Sequence, residues 1–386
     1  MLENLLKEFM NHFGENDKEI RNYFAPSRIN IIGEHIDYNG GKVFPCAIEI
    51  GTYALARKND DNLLRLKSLN IEKSGELSLE NIENNPENDW MNFPLGVAKF
   101  VQEEGYNIGG LDILIYGNIP NGSGLSSSAS LEILIGEVFN DFYNDGKISR
   151  KELALIGKST ENKFIGVNSG IMDQFIIALG KKEHAMLLDT NNLEYEYYPF
   201  DLKDNKLVIL NTNKRRELKD SKYNERRAES DKALEILREY KPSMNALCDI
   251  DESELDLLDK IEDPIIRKRA THAVKENHRV AEATKALKDG DIELLGELLV
   301  QSNDSLRDLY EVTGPHLDSI TKHANEFKDC LGARMTGAGF AGCGIAIIKE
   351  DSFDEFVEYV GKRYTEDTGL VAEFIQSGID DGVRRL

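Results

Sequence analysis

The run Gly122-Ser123-Gly124-Leu125-Ser126-Ser127-Ser128-Ala129-Ser130 has the residue types a phosphate cradle needs. Small residues let backbone approach a ligand closely, and free N–H groups at a helix start favour an anion. Hydroxyls crowded at the same point can reach a metal ion held by phosphates. The stretch follows a strand-like run, Leu111 to Tyr116, and leads into an apolar, helix-like segment, Leu131 to Phe139. It therefore reads as a triphosphate cradle. It is not the common P-loop, because no lysine follows these glycines. The Gly157-Lys158-Ser159 triplet has Glu152 where the first glycine of that pattern should stand.

Two other segments carry chemistry. In Pro26-Ser27-Arg28-Ile29-Asn30-Ile31-Ile32-Gly33-Glu34-His35-Ile36-Asp37-Tyr38-Asn39, the side chains of Glu34, His35 and Asp37 bunch on a turn beside an arginine at a strand start. Carboxylates and imidazole suit hydrogen bonding to vicinal hydroxyls. A zinc site is excluded: Glu-His is not H-E-x-x-H, and the position four after His35 is Asn39. The third segment, residues 332–344, holds five glycines and Thr336, and could bring backbone close to the same phosphates.

The elements that must position these residues alternate irregularly. A helix at the N-terminus, strands at 43–50, 53–57 and 63–68, and a helix at 93–102 precede the cradle. Helices at 151–165 and 171–179 follow, then strands at 185–189 and 207–211. Charged helical segments run through 222–240, 264–288, 292–310 and 315–328, before the glycine-rich segment and a buried-strand run at 345–348; the last forty residues read as helix then strand. Without strict βαβ alternation the pattern favours α+β. At 386 residues the chain accommodates two domains, divided near residue 205 into 1–205 and 206–386.

The net charge of −22, from 47 basic and 69 acidic side chains, argues against nucleic acid or an anionic membrane as partner. The basic set Lys214, Arg215 and Arg216 reads as a solvated or substrate-edge loop in these acidic surroundings. Cys46, Cys248, Cys330 and Cys343 form no C-x-x-C pair or disulfide framework, so reduced thiols are expected. The amphipathic start is not a signal peptide, and no run of about eighteen apolar residues occurs, so a cytoplasmic protein is expected, with no membrane span and no obligate protein partner.

In their order and content the three motifs resemble those of the GHMP small-molecule kinases, most closely the galactose-phosphorylating branch. Gly170-Ile171-Met172-Asp173-Gln174 and Ser221-Lys222-Tyr223-Asn224-Glu225-Arg226-Arg227 resemble further segments of that branch, so the likeness runs from about residue 20 to 350. It implies a two-domain kinase with mixed sheets and helices and an active site in the interdomain cleft. It implies ATP and Mg²⁺ as cofactors, and transfer of a phosphoryl group to the C1 hydroxyl of galactose. A 1-kinase for N-acetylgalactosamine or another sugar, or a non-catalytic galactose and ATP sensor, are the alternatives.

By the same resemblance Asp173 is the catalytic base and Arg28 its charged neighbour, holding the carboxylate ionised. Glu34, His35, Ile36, Asp37 and Tyr223 match sugar-binding positions, with Ser169 and Gly170 lining the sugar pocket by backbone. Ser128 and Glu161 match the Mg²⁺ positions, and the cradle from Gly122 to Ser128 the ATP phosphates. Trp90, with Phe93 nearby, and Ser68 match the adenine side. One departure stands out: Ser169 occupies a position where many relatives have cysteine.

Overall fold

A computed structural model describes residues 1–120, 122–214 and 219–386, with the side chains of 219–221 also left aside. Arg215 and Arg216, expected in a substrate-edge loop, lie outside the described residues. The strands are β1 (Arg21–Asn30), β2 (Lys42–Val43), β3 (Pro45–Lys58), β4 (Leu63–Ser68), β5 (Gly75–Ser78), β6 (Leu111–Gly117), β7 (His184–Asp189), β8 (Tyr195–Pro199), β9 (Asn205–Asn211), β10 (Cys330–Thr336), β11 (Cys343–Lys349), β12 (Glu373–Gln376) and β13 (Arg384–Arg385). The helices are α1 (Leu2–Phe13), α2 (Asn92–Glu103), α3 (Ser127–Tyr143), α4 (Arg150–Ser159), α5 (Met172–Leu179), α6 (Lys219–Arg238), α7 (Pro264–Asp289), α8 (Ile292–Ser305), α9 (Gly314–Asn325) and α10 (Phe353–Thr368).

Among the described residues these strands form three sheets, ordered β13-β1-β3-β6-β4-β5, β10-β11-β9-β12 and β2-β7-β8. Among the described residues the strands pair antiparallel except β4 with β6. Mixed sheets with helices packed on them agree with the α+β expectation.

Several local expectations need correction. The strands expected at 43–50 and 53–57 form one long β3, bent rather than ended at Gly51. The register against β1 shifts between Pro26 and Ser27, and a Cβ on Gly51 would stand 2.2 Å from the Ala25 carbonyl oxygen. Glycine there permits a bulge, where sequence suggested a break. The helices expected at 151–165 and 292–310 each change to a π-helical turn, at Thr160–Ile165 and Leu306–Tyr310. Such widened turns recur at functional sites, and both carry residues that matter below. The glycine-rich third segment is loop only from Gly337 to Gly342, since residues up to Thr336 belong to β10. The short strands β5 and β8 were not anticipated.

The main core lies between the six-stranded sheet and α2, α3, α4 and α5, and continues into α7 and α8. It holds the Ile29-Ile31-Ile32 run, so the end of β1 and the turn after it are anchored on apolar packing. Arg28, inside that strand, is 3 % exposed. An arginine is that deeply buried only when its charge is answered.

Candidate active site

Asp173 answers it. Arg28 Nε donates to Asp173 Oδ1 and Arg28 Nη2 to Oδ2, both at 2.7 Å, the parallel two-bond geometry that a guanidinium makes with a carboxylate. Arg28 Nη1 also donates to the Gly124 carbonyl at 3.2 Å, tying the pair to the cradle. Asp173 sits in the first turn of α5, and the residue before the helix, Ile171, makes no side-chain cap. The carboxylate also accepts from the Ser126 hydroxyl.

The cradle's backbone explains its composition. Gly122, Gly124 and Ser126 have φ of 72°, 76° and 56°, in the left-handed region where glycine is at ease and serine is uncommon. Ser126 precedes α3 without capping it, its hydroxyl being spent on Asp173. Gly124, Ser126 and Ser128 face a common cavity. Ser123 and Leu125 point into the protein, while Gly122 and Ser127 are exposed. Ser128 Oγ donates to Glu161 Oε1 at 2.9 Å, and Ser169 Oγ donates to Glu161 Oε2 at 2.5 Å. Glu161 comes from the π-helical turn after α4, which swings it towards the start of α3.

The sugar-type cluster lies on the other side of the cavity. Glu34 is 1 % exposed and already well occupied: it accepts from Gly337 N at 2.5 Å and from the Asn30 amide, and pairs with Arg334 at 3.3 Å. Burial raises its pKa, while Arg334, the Gly337 N–H and Arg28 pull it down. Among the described residues Asp37 makes no ion pair, and it accepts from the Tyr38 N–H at 3.0 Å. Burial, then repulsion from Asp173, lifts its carboxyl from the ordinary 3.8 to about 6. Gly170 is glycine because Asp37 lies against it: a Cβ there would stand 1.7 Å from Asp37 Oδ2. His35, at φ 62°, lines the cavity with Tyr223, whose ring centroid is 5.7 Å from its own.

The cavity thus gathers Arg28, Glu34, His35, Asp37, Gly124, Ser126, Ser128, Glu161, Ser169, Gly170, Asp173 and Tyr223 from the expected set. Ile36 is buried behind it in the core. Ser68 and Trp90 do not line it: Ser68 accepts from the Asn70 N–H in the turn after β4, and Trp90 donates to the Lys73 carbonyl. Gln174, Gly337 and Ala338 line it without having been singled out. Each stood within a quoted motif, so adjacency to Asp173 and to Thr336 was the available signal. Glu132, two residues past the cradle in α3, lies beneath the site; it accepts from Gln174 Nε2 at 3.0 Å, and burial raises its pKa well above the usual range.

Known proteins resemble the chain over its whole length. Residues 92–181 match the GHMP kinases N terminal domain, 283–366 the GHMP kinases C terminal domain, and 7–58 the galactokinase galactose-binding signature. Curated galactokinases from Clostridium perfringens and Enterococcus faecalis are each 50 % identical over the full length of both chains. The chain belongs to the galactokinase family. It is therefore an enzyme, a sugar kinase, of the GHMP kinase fold. The crystal structure of Lactococcus lactis galactokinase complexed with galactose superposes with a TM-score of 0.96 at 44 % identity, covering both chains entirely. Mevalonate kinase from Methanococcus jannaschii shares the fold at a TM-score of 0.67 and 22 % identity, covering 95 % of this chain and all of its own. Among the described residues no helix is long and apolar enough to cross a membrane.

Proposed function

We propose that this chain transfers the γ-phosphoryl group of ATP to the C1 hydroxyl of α-D-galactose, giving α-D-galactose 1-phosphate and ADP, in the cytoplasm. The observation that carries the reading is the two-bond Arg28–Asp173 pair where the three motifs meet. Phosphoryl transfer asks the protein mainly for positioning and charge stabilisation. Asp173 accepts the hydrogen of the attacking hydroxyl, and takes the proton as the bond to phosphorus forms. Arg28 keeps the carboxylate aimed, and its charge faces the group in transfer. Ser126, bonded to the same carboxylate, fixes it from the cradle side.

Asp37 and Glu34 read the ring hydroxyls, with Gly170 leaving room for Asp37 to do so. Ser128 Oγ and Glu161 Oε1 offer a hydroxyl and a carboxylate side by side at the cavity edge, hard oxygen donors of the kind and small number that Mg²⁺ takes alongside phosphate and water oxygens. Bound there, Mg²⁺ would neutralise phosphate charge. We assign the adenine end to the neighbourhood of Ser68 and Trp90. Ser68 pairs with Ile115 on β6, the strand that leads into the cradle, so it lies at the same sheet end. We place the domain division near residue 205, where β9 opens the four-stranded sheet; β13 alone returns to the first sheet. A coupled ADP-release assay across galactose, glucose, N-acetylgalactosamine and arabinose tests the reading. Galactose should be strongly preferred, and preference for N-acetylgalactosamine would move the assignment to that sugar.

A further inference from the structure

His35 is held by a chain of hydrogen bonds that starts in a distant helix. Ser230 Oγ of α6 lies 2.8 Å from the Tyr310 hydroxyl, which ends the π-helical turn after α8. Tyr310 OH is 2.9 Å from Tyr38 OH, Tyr38 OH is 2.8 Å from His35 Nδ1, and His35 Nε2 is 3.2 Å from the Ala338 carbonyl oxygen. Ser230 and Tyr310 are wholly buried, and His35 is 5 % exposed. None of Ser230, Tyr310 and Tyr38 stands in the cavity wall.

The chemistry of its end groups gives this chain one direction. A carbonyl oxygen only accepts, so Nε2 carries the imidazole proton and donates to Ala338. A neutral imidazole has a single N–H, so Nδ1 accepts and Tyr38 donates to it. The one Tyr38 proton is then spent, which makes Tyr310 the donor to Tyr38 and Ser230 the donor to Tyr310. Burial, aided by repulsion from His272, lowers the pKa of His35 to about 3, so the ring is neutral at any working pH. His35 itself is a non-glycine residue at positive φ, a conformation that persists only where surroundings impose it.

We propose that Tyr38, Tyr310 and Ser230 are positioning residues that hold the neutral His35 ring by its Nδ1 side, so that its Nε2–H stays aimed at the Ala338 carbonyl of the third-motif loop. The same bond clasps the signature turn to the loop between β10 and β11, which joins sugar recognition to closure of the third motif.

Nitrogen-15 NMR of histidine-labelled protein tests it, with His35→Gln used to assign the signal. His35 should show a protonated Nε2 and a bare Nδ1 from pH 6 to pH 8. In Tyr38→Phe the Nδ1 signal should shift on losing its donor, and galactose KM should rise about tenfold, the scale of one lost hydrogen bond, with kcat and ATP KM within about twofold. Tyr310→Phe should do the same more weakly, about threefold. The kinetic arm rests on the galactose reading, which fails separately if wild-type protein shows no galactose-dependent ADP release. A protonated Nδ1 or an imidazolium in the wild type overturns the proposal, whatever the variants do. So does a folded Tyr38→Phe protein with an unchanged Nδ1 shift and unchanged galactose KM.

Discussion

Two aspartates face the same cavity in opposite surroundings. Asp173 accepts two 2.7 Å bonds from Arg28 and one from Ser126, so its charge is answered within the protein. Asp37 makes no ion pair among the described residues and is pushed up to about 6 by burial and by Asp173 itself. A carboxylate already satisfied keeps one geometry through a reaction. A carboxylate held by backbone N–H groups, as Asp37 is by that of Tyr38 at 3.0 Å, gains further donors from a substrate, and so distinguishes substrates that bring hydroxyls to the right place. On this account Asp173 serves the transfer step and Asp37 serves recognition.

The largest effect that could break this division is at the sugar 4-hydroxyl, which separates galactose from glucose. A site built to bond one hydroxyl leaves its own polar groups unpaired when that hydroxyl points elsewhere, and discrimination reaches about 10⁴-fold. Steady-state kinetics should show glucose disfavoured on that scale in kcat/KM, and Asp37→Ala should shrink the gap. Comparable values for the two sugars in wild-type protein would remove recognition from Asp37 and Glu34.

Next in size is the transfer step. Asp173→Asn keeps shape but cannot take the proton, so kcat should fall about 10²-fold or more. Smaller again is the metal arm. Ser128→Ala with Glu161→Ala removes both oxygens that meet at 2.9 Å, and the Mg²⁺ concentration for half-maximal rate should rise about tenfold while galactose KM changes little. An unchanged Mg²⁺ titration would place the metal elsewhere.

The smallest effect sharpens the contrast through pH. The folded-state pKa of Asp37 lies above its ordinary 3.8, so the native protein holds more protons than the unfolded chain between pH 3.8 and about 6. Stability from this group is complete below that window, falls as pH rises through it, and stays low above it, with a slope no steeper than about 1.4 kcal/mol per pH unit. Asp37→Asn removes the effect. The melting temperature of Asp37→Asn relative to wild type should therefore climb from pH 4 to pH 6 and then level off. A constant difference across that range would mean that Asp37 is not destabilised as an anion.

The chemistry was more legible in the sequence than the scaffold that holds it. Arg28, Ser126 and Asp173 stand far apart in the chain, yet each lies inside a recognisable motif, and the structure brings them into contact. Gln174 and Ala338 were within reach of the same reading. Tyr310 and Ser230 were not: a buried tyrosine or serine in a charged helical region carries no spacing that marks it, because its partners come from other elements. The two π-helical turns were also hidden, since a widened turn keeps helical composition and only its hydrogen bonding changes. Ser169 shows the limit of position matching. Expected to line the cavity by backbone, it lies in the cavity wall and also donates its hydroxyl to Glu161.

Calorimetric titration of galactose into Asp173→Asn and Asp37→Ala proteins tests the division between the two aspartates most directly. The account predicts that Asp173→Asn binds galactose with affinity near that of the wild type while turning over little of it, and that Asp37→Ala loses most of its galactose affinity. Lost binding in Asp173→Asn together with retained binding in Asp37→Ala would contradict it.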